Sequence, residues 1–180
     1  MSSFVEEVYA MPGGEGVALC IQCGTCSATC PGASRGLSPR QIIGMVRAGM
    51  REEVLSSDSM WLCASCYLCT VRCPRDIKPT DLVHVLESLA ARDGVSSKRS
   101  RTPPMYRTFI DSVRNNGRVH EAGLITRFYM RTSPLAALKM LPLAVALYSH
   151  GRMPLHAKKM EGRRAVRAIL DKARALAGAQ

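Results

Sequence analysis

Residues 20–31 read CIQCGTCSATCP, and residues 63–74 read CASCYLCTVRCP. Both runs follow one pattern: three cysteines with two residues between neighbours, and then a fourth cysteine, four positions later, that precedes a proline. Together the runs use all eight cysteines of the 180-residue chain. A repeat of this kind predicts two equivalent structural units, so the two runs organise the fold.

This spacing is typical of proteins that bind [4Fe–4S] clusters. In two-cluster ferredoxins the first three cysteines of a run hold one cluster, and the fourth, before proline, holds the other. The sequence therefore predicts two clusters with crossed ligands. The first cluster is predicted to be bound by Cys20, Cys23, Cys26 and Cys73. The second is predicted to be bound by Cys63, Cys66, Cys69 and Cys30.

Zinc and disulfides are the alternative uses of these cysteines. Zinc sites with four thiolates favour separate C-x-x-C pairs over a triple run that ends in Cys-Pro. A disulfide framework is typical of short secreted chains, whereas residues 1–16 have neither the basic start nor the apolar stretch of a secretory signal. The spacing favours iron–sulfur clusters, and a zinc-stabilised interaction module remains the third hypothesis.

Helical patterns surround the runs. Ser38 and Pro39 predict a helix start after the first run, and this helix is expected to continue to about residue 55. Thr80 with Asp81 predicts another helix after the second run, ending near Gly94. Its apolar stripe consists of Leu82, Val83, Val85, Leu86 and Leu89. Further candidate helices cover residues 105–115, 120–131, 134–150 and 160–176, and the third is expected to kink at Pro142. No segment shows a convincing strand alternation. The predicted fold class is mainly α: an α-helical ferredoxin-like domain with two [4Fe–4S] clusters plus a C-terminal helical extension.

The expected domain boundaries follow from composition. Residues 1–94 are expected to form the two-cluster domain. Residues 95–104 (VSSKRSRTPP) are polar, basic and proline-ended, which indicates a linker. Residues 105–180 are expected to form the helical extension and to dock on a partner.

The chain is basic, with a net charge of +11. This charge favours an acidic partner, an anionic membrane surface or nucleic acid, but the basic run 98–101 lacks the interleaved aromatics of a nucleic-acid site. The apolar stretch 135–148 is too short for a membrane span and contains Lys139 and Pro142. We therefore expect no nucleic-acid partner and no transmembrane segment. The expected location is the cytoplasm, with membrane association only through partners.

The cysteine segments CIQCGTCSATCP and MWLCASCYLCTVRCPRDIKPTDLVHVLE resemble the C-subunit of heterodisulfide reductases and of heterodisulfide reductase-like complexes. The resemblance is close over about residues 17–94. It continues more loosely through FIDSVRNNGRVHEAGLITRFY and HGRMPLHAKKMEG. The cysteine pattern alone is shared with many proteins, so the residues around it and the C-terminal segments carry the resemblance.

The resemblance implies an electron relay without a catalytic site of its own. Electrons would come from a flavin and iron–sulfur subunit or from a membrane cytochrome. They would pass to a protein like the B-subunit of that family, which has cysteine-rich domains. The glycines of residues 13–16 (GGEG) do not match a dinucleotide fingerprint, so substrate chemistry is expected on another chain. The alternative is the iron–sulfur subunit of another respiratory oxidoreductase, of the fumarate reductase, glycerol-3-phosphate dehydrogenase or quinone-linked type. A preference for arginine and alanine over lysine hints at a bacterial genome and at sulfur metabolism.

Overall fold

The computed structural model describes residues 3–95, 100–153 and 157–178. The described residues are mainly helical and include no strand, which confirms the predicted fold class. The chain divides into two compact units, Met1–Ser100 and Arg101–Gln180. Residues 96–99, which belong to the expected linker, lie outside the described residues.

The helices of the first unit flank the two cysteine runs. They are α1 (Phe4–Ala10), α2 (Thr25–Ala28), α3 (Pro39–Arg47), α4 (Arg51–Leu55), α5 (Leu68–Val71) and α6 (Pro79–Arg92). Short 3-10 helices cover Glu15–Leu19, Ala33–Arg35 and Met60–Leu62. The helices of the second unit are α7 (Thr102–Asn116), α8 (Glu121–Thr132), α9 (Pro134–Lys139), α10 (Leu141–Ser149) and α11 (Arg163–Gly178).

The hydrophobic core of the first unit lies beneath the cysteine runs. Helix α6 packs against α4, α5 and the 3-10 helix Met60–Leu62, and α3 packs against α1, α2 and α4. The apolar stripe predicted for α6 is buried; its residues are Leu82, Val83, Val85, Leu86 and Leu89. Trp61 is also buried in this core, as expected of a packing residue. The core thus fixes the helices that follow each run.

The two predicted helix starts have different outcomes. The helix start predicted at Ser38 and Pro39 is confirmed, and in the structure Ser38 and Gln41 form a reciprocal capping box there. The prediction for Thr80 is wrong, because α6 begins at Pro79 and its N-cap residue is Lys78. Thr80 lies inside the first turn with its side chain buried, and it therefore faces the cysteines instead of capping the helix.

Two predicted helices are divided in the structure. The helix expected from Pro39 to about residue 55 is interrupted by Gly49, whose φ of +74° ends α3 before α4 begins. The helix expected over residues 134–150 breaks at Met140 rather than kinking at Pro142. Proline lacks the N–H that would bond to the carbonyl four residues earlier, so the break falls just before it. No helix in the described ranges is long and apolar enough to cross a membrane.

An ion-pair network around Arg51 joins three helices of the first unit. The Arg51 guanidinium on α4 donates to the carboxylates of Glu7 on α1 and Asp93 at the end of α6. Arg92 donates to the same two carboxylates. The hydrogen bond from Arg51 lowers the pKa of Glu7 and of Asp93, although partial burial opposes the shift.

We expect Arg51→Gln to destabilise the first unit by about 1 kcal/mol at pH 7, allowing for the solvent screening of a partly exposed network. Because the carboxylate pKa values are lowered by folding, this stabilisation is present above their ordinary values near 4.5 and 3.8 and is lost as the pH falls through the lowered values. Anaerobic urea unfolding between pH 7 and pH 3 measures the difference.

The matched control is Arg35→Gln, which removes the same charge from an exposed residue. A difference between wild type and Arg51→Gln that persists unchanged at acid pH would contradict the assignment to Glu7 and Asp93.

Candidate metal centre

The two cysteine runs begin with the same local structure. A short 3-10 helix ends immediately before Cys20 and before Cys63. The Cys20 N–H donates to the Val17 carbonyl at 3.2 Å, and the Cys63 N–H donates to the Met60 carbonyl at 3.1 Å. Both cysteines have φ of −66° and nearly equal ψ, 120° and 119°. The sequence repeat is therefore also a backbone repeat.

Left-handed residues flank the second cysteine of each run. Gln22 and Gly24 have φ of +58° and +85° around Cys23, and Ser65 and Tyr67 have φ of +48° and +59° at the equivalent positions. Only glycine adopts this conformation freely; the other three residues each carry a strain on the order of 1 kcal/mol. Strain at the same positions of both repeats indicates that the loop shape is a requirement of the site.

The third cysteine of each run lies in a single helical turn. Cys26 is in α2 and Cys69 is in α5, and these two helices pack against each other. The fourth cysteines, Cys30 and Cys73, follow the ends of α2 and α5. This packing brings the end of each run close to the beginning of the other.

Two cavities, which we name cavity I and cavity II, lie between the runs. The cysteines that line cavity I are Cys20, Cys23, Cys26 and Cys73. The cysteines that line cavity II are Cys30, Cys63, Cys66 and Cys69. Each cavity thus takes three cysteines from one run and the fourth from the other. These groups of four are the ones that the spacing predicts, and their ligation of clusters stays a prediction.

Apolar residues complete both cavities. Cavity I is also lined by Ile43, Ile77 and Pro79. Cavity II is also lined by Ile42 and Val83, among others. Because α3 and α6 each contribute residues to both cavities, the core described above holds the two cysteine groups in fixed relation.

The donor set fits clusters better than disulfides or single ions. All eight cysteines are free thiols. Within the described ranges, no group of three or more His, Cys, Asp or Glu side chains is placed to hold a single metal ion. In a [4Fe–4S] cluster each thiolate binds a different iron, so the thiolates surround a core and do not converge on one point. Four thiolates around a cavity match that requirement.

Hydrogen-bond donors lie beside several of the sulfurs. The backbone N–H and the side-chain amide of Gln22 lie 3.4 and 3.6 Å from the Cys20 Sγ. The Thr80 hydroxyl lies 3.3 Å from the Cys69 Sγ, and the Thr70 hydroxyl donates to the Thr80 oxygen at 3.4 Å. Because the Thr80 oxygen accepts from Thr70, the Thr80 hydroxyl proton is available for donation to the Cys69 sulfur. Donors of this kind tune cluster potentials.

The thiols differ in acidity. The Thr25 hydroxyl, 3.5 Å from the Cys23 Sγ, lowers the pKa of Cys23. Burial raises the pKa of the Cys26 thiol, and the Cys20 and Cys69 sulfurs raise it further. Burial also raises the pKa of Cys63. Since clusters bind thiolates, cluster insertion must release protons from these thiols.

We expect Thr80→Val to lower the reduction potential of the cluster that includes Cys69 and to leave the other potential unchanged. Valine keeps the shape but removes the donor to the Cys69 sulfur, and this donor favours the more negative reduced state. Redox titration followed by electron paramagnetic resonance measures the shift. Thr132→Val, which removes a hydroxyl bonded to the Phe128 carbonyl in the second unit, is the control. Equal potentials in wild type and Thr80→Val would contradict this role.

Sequence reasoning missed Thr80 and Gln22. Thr80 fits a helix N-cap as well as a sulfur contact, and only the observed start of α6 separates the two roles. Gln22 lies between Cys20 and Cys23, at a position where the cysteine spacing requires no particular residue. For both residues the signal is their distance from a sulfur, which spacing alone does not give.

Comparisons with known proteins agree with this site. Residues 16–77, which include all eight cysteines, match the family described as the 4Fe-4S dicluster domain. The chain is 37% identical over 107 residues to the iron-sulfur C-subunit of the CoB–CoM heterodisulfide reductase of Methanopyrus kandleri, covering 59% of this chain and 56% of that protein. It is 49% identical over 76 residues to the C-subunit of the ferredoxin:CoB-CoM heterodisulfide reductase of Methanosarcina mazei, covering 42% of this chain and 47% of that protein.

A third relative is the C-subunit of the H(2):CoB-CoM heterodisulfide,ferredoxin reductase of Methanothermobacter marburgensis, 39% identical over 92 residues, covering 51% of this chain and 49% of that protein. The chain thus spans about half the length of the curated relatives that it matches. The similarity confirms the resemblance read from the cysteine segments. These similarities support iron–sulfur binding by this chain: its residues 16–77 match the 4Fe-4S dicluster domain, and the chain is similar to heterodisulfide reductase C-subunits over about half of its length.

Proposed function

We propose that this chain is an electron-relay subunit with two [4Fe–4S] clusters in a heterodisulfide reductase-like complex. The observation that carries the proposal is the pair of adjacent cavities, each lined by four cysteines with three from one run and one from the other. Two adjacent one-electron carriers suit a protein that takes electrons from one partner and passes them to another.

The proposed ligands follow the two cavities. One cluster is bound by Cys20, Cys23, Cys26 and Cys73. The other is bound by Cys63, Cys66, Cys69 and Cys30. Each cluster supplies reversible one-electron transfer when bound. The protein holds the thiolates, surrounds them with apolar side chains and supplies donors to the Cys20, Cys23 and Cys69 sulfurs.

The packing of α2 against α5 supports electron passage between the clusters. Cys26 and Cys69 belong to different ligand groups but lie in these two contacting helices. A route through these neighbouring ligands needs no intervening cofactor.

We assign the substrate chemistry to a partner chain with cysteine-rich domains, which we name the B-like partner, and the electron supply to a flavin and iron–sulfur subunit. The glycine-rich residues 13–16 lead into the 3-10 helix Glu15–Leu19, whereas a dinucleotide fingerprint opens an α-helix after a strand. The names of the relatives describe subunits of larger reductases, which is consistent with a role beside other chains. On this proposal the chain conducts electrons and does not transform a substrate.

We further propose that the second unit, Arg101–Gln180, is the docking extension; its first helix, α7, begins at Thr102, inside the linker 95–104 that the sequence predicts. Helices α9 and α10 expose large apolar side chains: Leu135, Leu138, Leu141, Leu143, Val145, Leu147 and Tyr148. Every residue of α10 except Ala144 is exposed. A helix that is apolar on all sides is normally buried, so a partner is expected to cover this one.

The occupant that fits is a protein groove with an acidic rim. A membrane surface would cover only one side of an interfacial helix, which needs a polar opposite face, and α10 has none. Residues 122–160 contain no acidic residue. Their cations are Arg127, Arg131, Lys139, Arg152, Lys158 and Lys159. An apolar helix pair within a basic segment matches an apolar groove bordered by carboxylates on the B-like partner.

Anaerobic affinity purification of the tagged chain from its native cells tests the proposal. Recovery of a protein with duplicated cysteine-rich domains, with or without a flavoprotein, is expected. Iron, sulfide and zinc assays of the same sample are expected to give iron and sulfide in equal amounts and little zinc. Zinc without sulfide would contradict the cluster proposal and favour the zinc-stabilised interaction module.

The second candidate function is the iron–sulfur subunit of another respiratory oxidoreductase. The same four-cysteine cavities would serve that role, so partner identity separates the two. Recovery of a dehydrogenase flavoprotein or cytochrome without a B-like partner would favour this alternative.

A further inference from the structure

Cavity I has a positively charged border. Arg40 and Arg75 are among the residues that line it. A third arginine, Arg47, donates from Nη1 to the carbonyl oxygen of Cys20 at 2.6 Å. The three come from α3 and from the segment that follows the second run, so the fold brings them together around one group of four cysteines.

Cavity II has no such border. Among the described residues that line it, the side chains other than cysteine are apolar or hydroxyl-bearing, and none is charged. Glu87 lies on α6 one turn after Val83, which lines the cavity, and supplies a carboxyl on this side of the helix. His84, 3.3 Å from Glu87, also contacts the Ser65 hydroxyl at 3.2 Å. The charged groups near cavity II therefore include a carboxyl, whereas those bordering cavity I are arginines.

This asymmetry has a consequence for the potentials of the bound clusters. Reduction adds one negative charge to a cluster, and nearby positive charge stabilises the reduced form more than the oxidised form. Net charge, hydrogen bonds to sulfur and solvent exposure set cluster potentials over a wide range. Arginine is effectively always protonated, so its contribution persists across the physiological pH range. The arginines are exposed, which weakens but does not reverse their effect.

We propose that the cluster bound in cavity I has the higher reduction potential and is the acceptor end of the relay. Electrons enter at the cluster of cavity II and rest on the cluster of cavity I, beside Arg40, Arg47 and Arg75. The proposal rests on the proposed function, since it needs both clusters to be present. The proposal gives electron transfer between the two clusters a direction, whereas the cysteine repeat by itself does not distinguish them.

The test is a redox titration of the anaerobically purified full chain, followed by electron paramagnetic resonance. Two reduction steps are expected. The variants Cys73→Ser and Cys30→Ser assign the steps, because each removes a ligand of one cavity. The step lost in Cys73→Ser is expected to be the one at higher potential. The opposite order would overturn the proposal.

The arginine variants test the cause without touching a ligand. Arg40→Gln and Arg75→Gln are each expected to shift the higher-potential step downward and to leave the lower step in place. The double variant is expected to shift that step further. A shift of the lower step instead, or of neither step, would overturn the proposal.

Arg92→Gln is the matched control. It removes the same charge from the far end of α6, roughly 18 Å along the helix from Thr80 beside cavity II. Both steps are expected to stay at their wild-type potentials. Failure of the proposed function would look different, because a chain without iron and sulfide would show no reduction steps at all.

Discussion

Replacing Cys73 with serine is expected to remove the cluster associated with the first cysteine run, although Cys73 belongs to the second. Cys73 lines cavity I together with Cys20, Cys23 and Cys26, so its loss leaves that group with three thiolates. The purified variant is expected to lose about half of its iron and sulfide. Iron and sulfide assays with cluster-resolved spectroscopy measure the loss.

Cys30→Ser is the reciprocal variant and is expected to remove the cluster of cavity II. The pair therefore separates crossed ligation from ligation within each run. Loss of the cluster bound by Cys63, Cys66 and Cys69 in the Cys73→Ser variant would show that the ligand assignment is wrong. Ser27→Ala, beside a ligand in sequence but not a thiol, is expected to retain both clusters.

The second large effect is expected at the apolar helix pair α9–α10. The double variant Leu138→Glu with Leu143→Glu places two carboxylates on side chains that are 67% and 53% exposed. Exposure makes the free chain tolerant of the change, whereas burying either charge in an apolar groove is costly. We expect co-purification of the B-like partner to fall more than tenfold, a factor that corresponds to about 1.4 kcal/mol of binding free energy.

The control for this variant is Met130→Glu, at an apolar residue of α8 that is 62% exposed. The control is expected to retain the partner, and all variants are expected to retain wild-type iron and sulfide. Retention of the partner by the double variant would exclude α9–α10 as the docking surface. A cluster loss in the double variant would indicate misfolding, and circular dichroism at matched concentration detects it.

The cysteine groups could be predicted from sequence because their spacing encodes a repeat. The helix start at Ser38 and the apolar stripe of α6 are equally local signals, and the structure confirms both. Thr80 shows the limit of such signals: a threonine near a helix start reads as a cap, and only the packing of α6 against α5 turns its hydroxyl toward Cys69.

The left-handed loop residues and the arginines of cavity I could not be predicted from sequence patterns, for a similar reason. Ser65 and Tyr67 are poor candidates for positive φ, so propensity argues against the conformation that they adopt. Arg40 and Arg75 are distant in sequence and approach one cavity only after the two runs cross. Tertiary structure, not local preference, determines both features.

The crossing of the two runs also constrains when the protein can mature. A ribosome delivers residues 20–30 well before residues 63–73, and the first run alone lacks the partner cysteine for its own cavity. Cavity II is complete only after Cys69 has emerged, and cavity I only after Cys73. A chain that stops between the runs therefore lacks the complete cysteine lining of either cavity. On the proposed ligation, cluster loading requires nearly the whole first unit to have been synthesised.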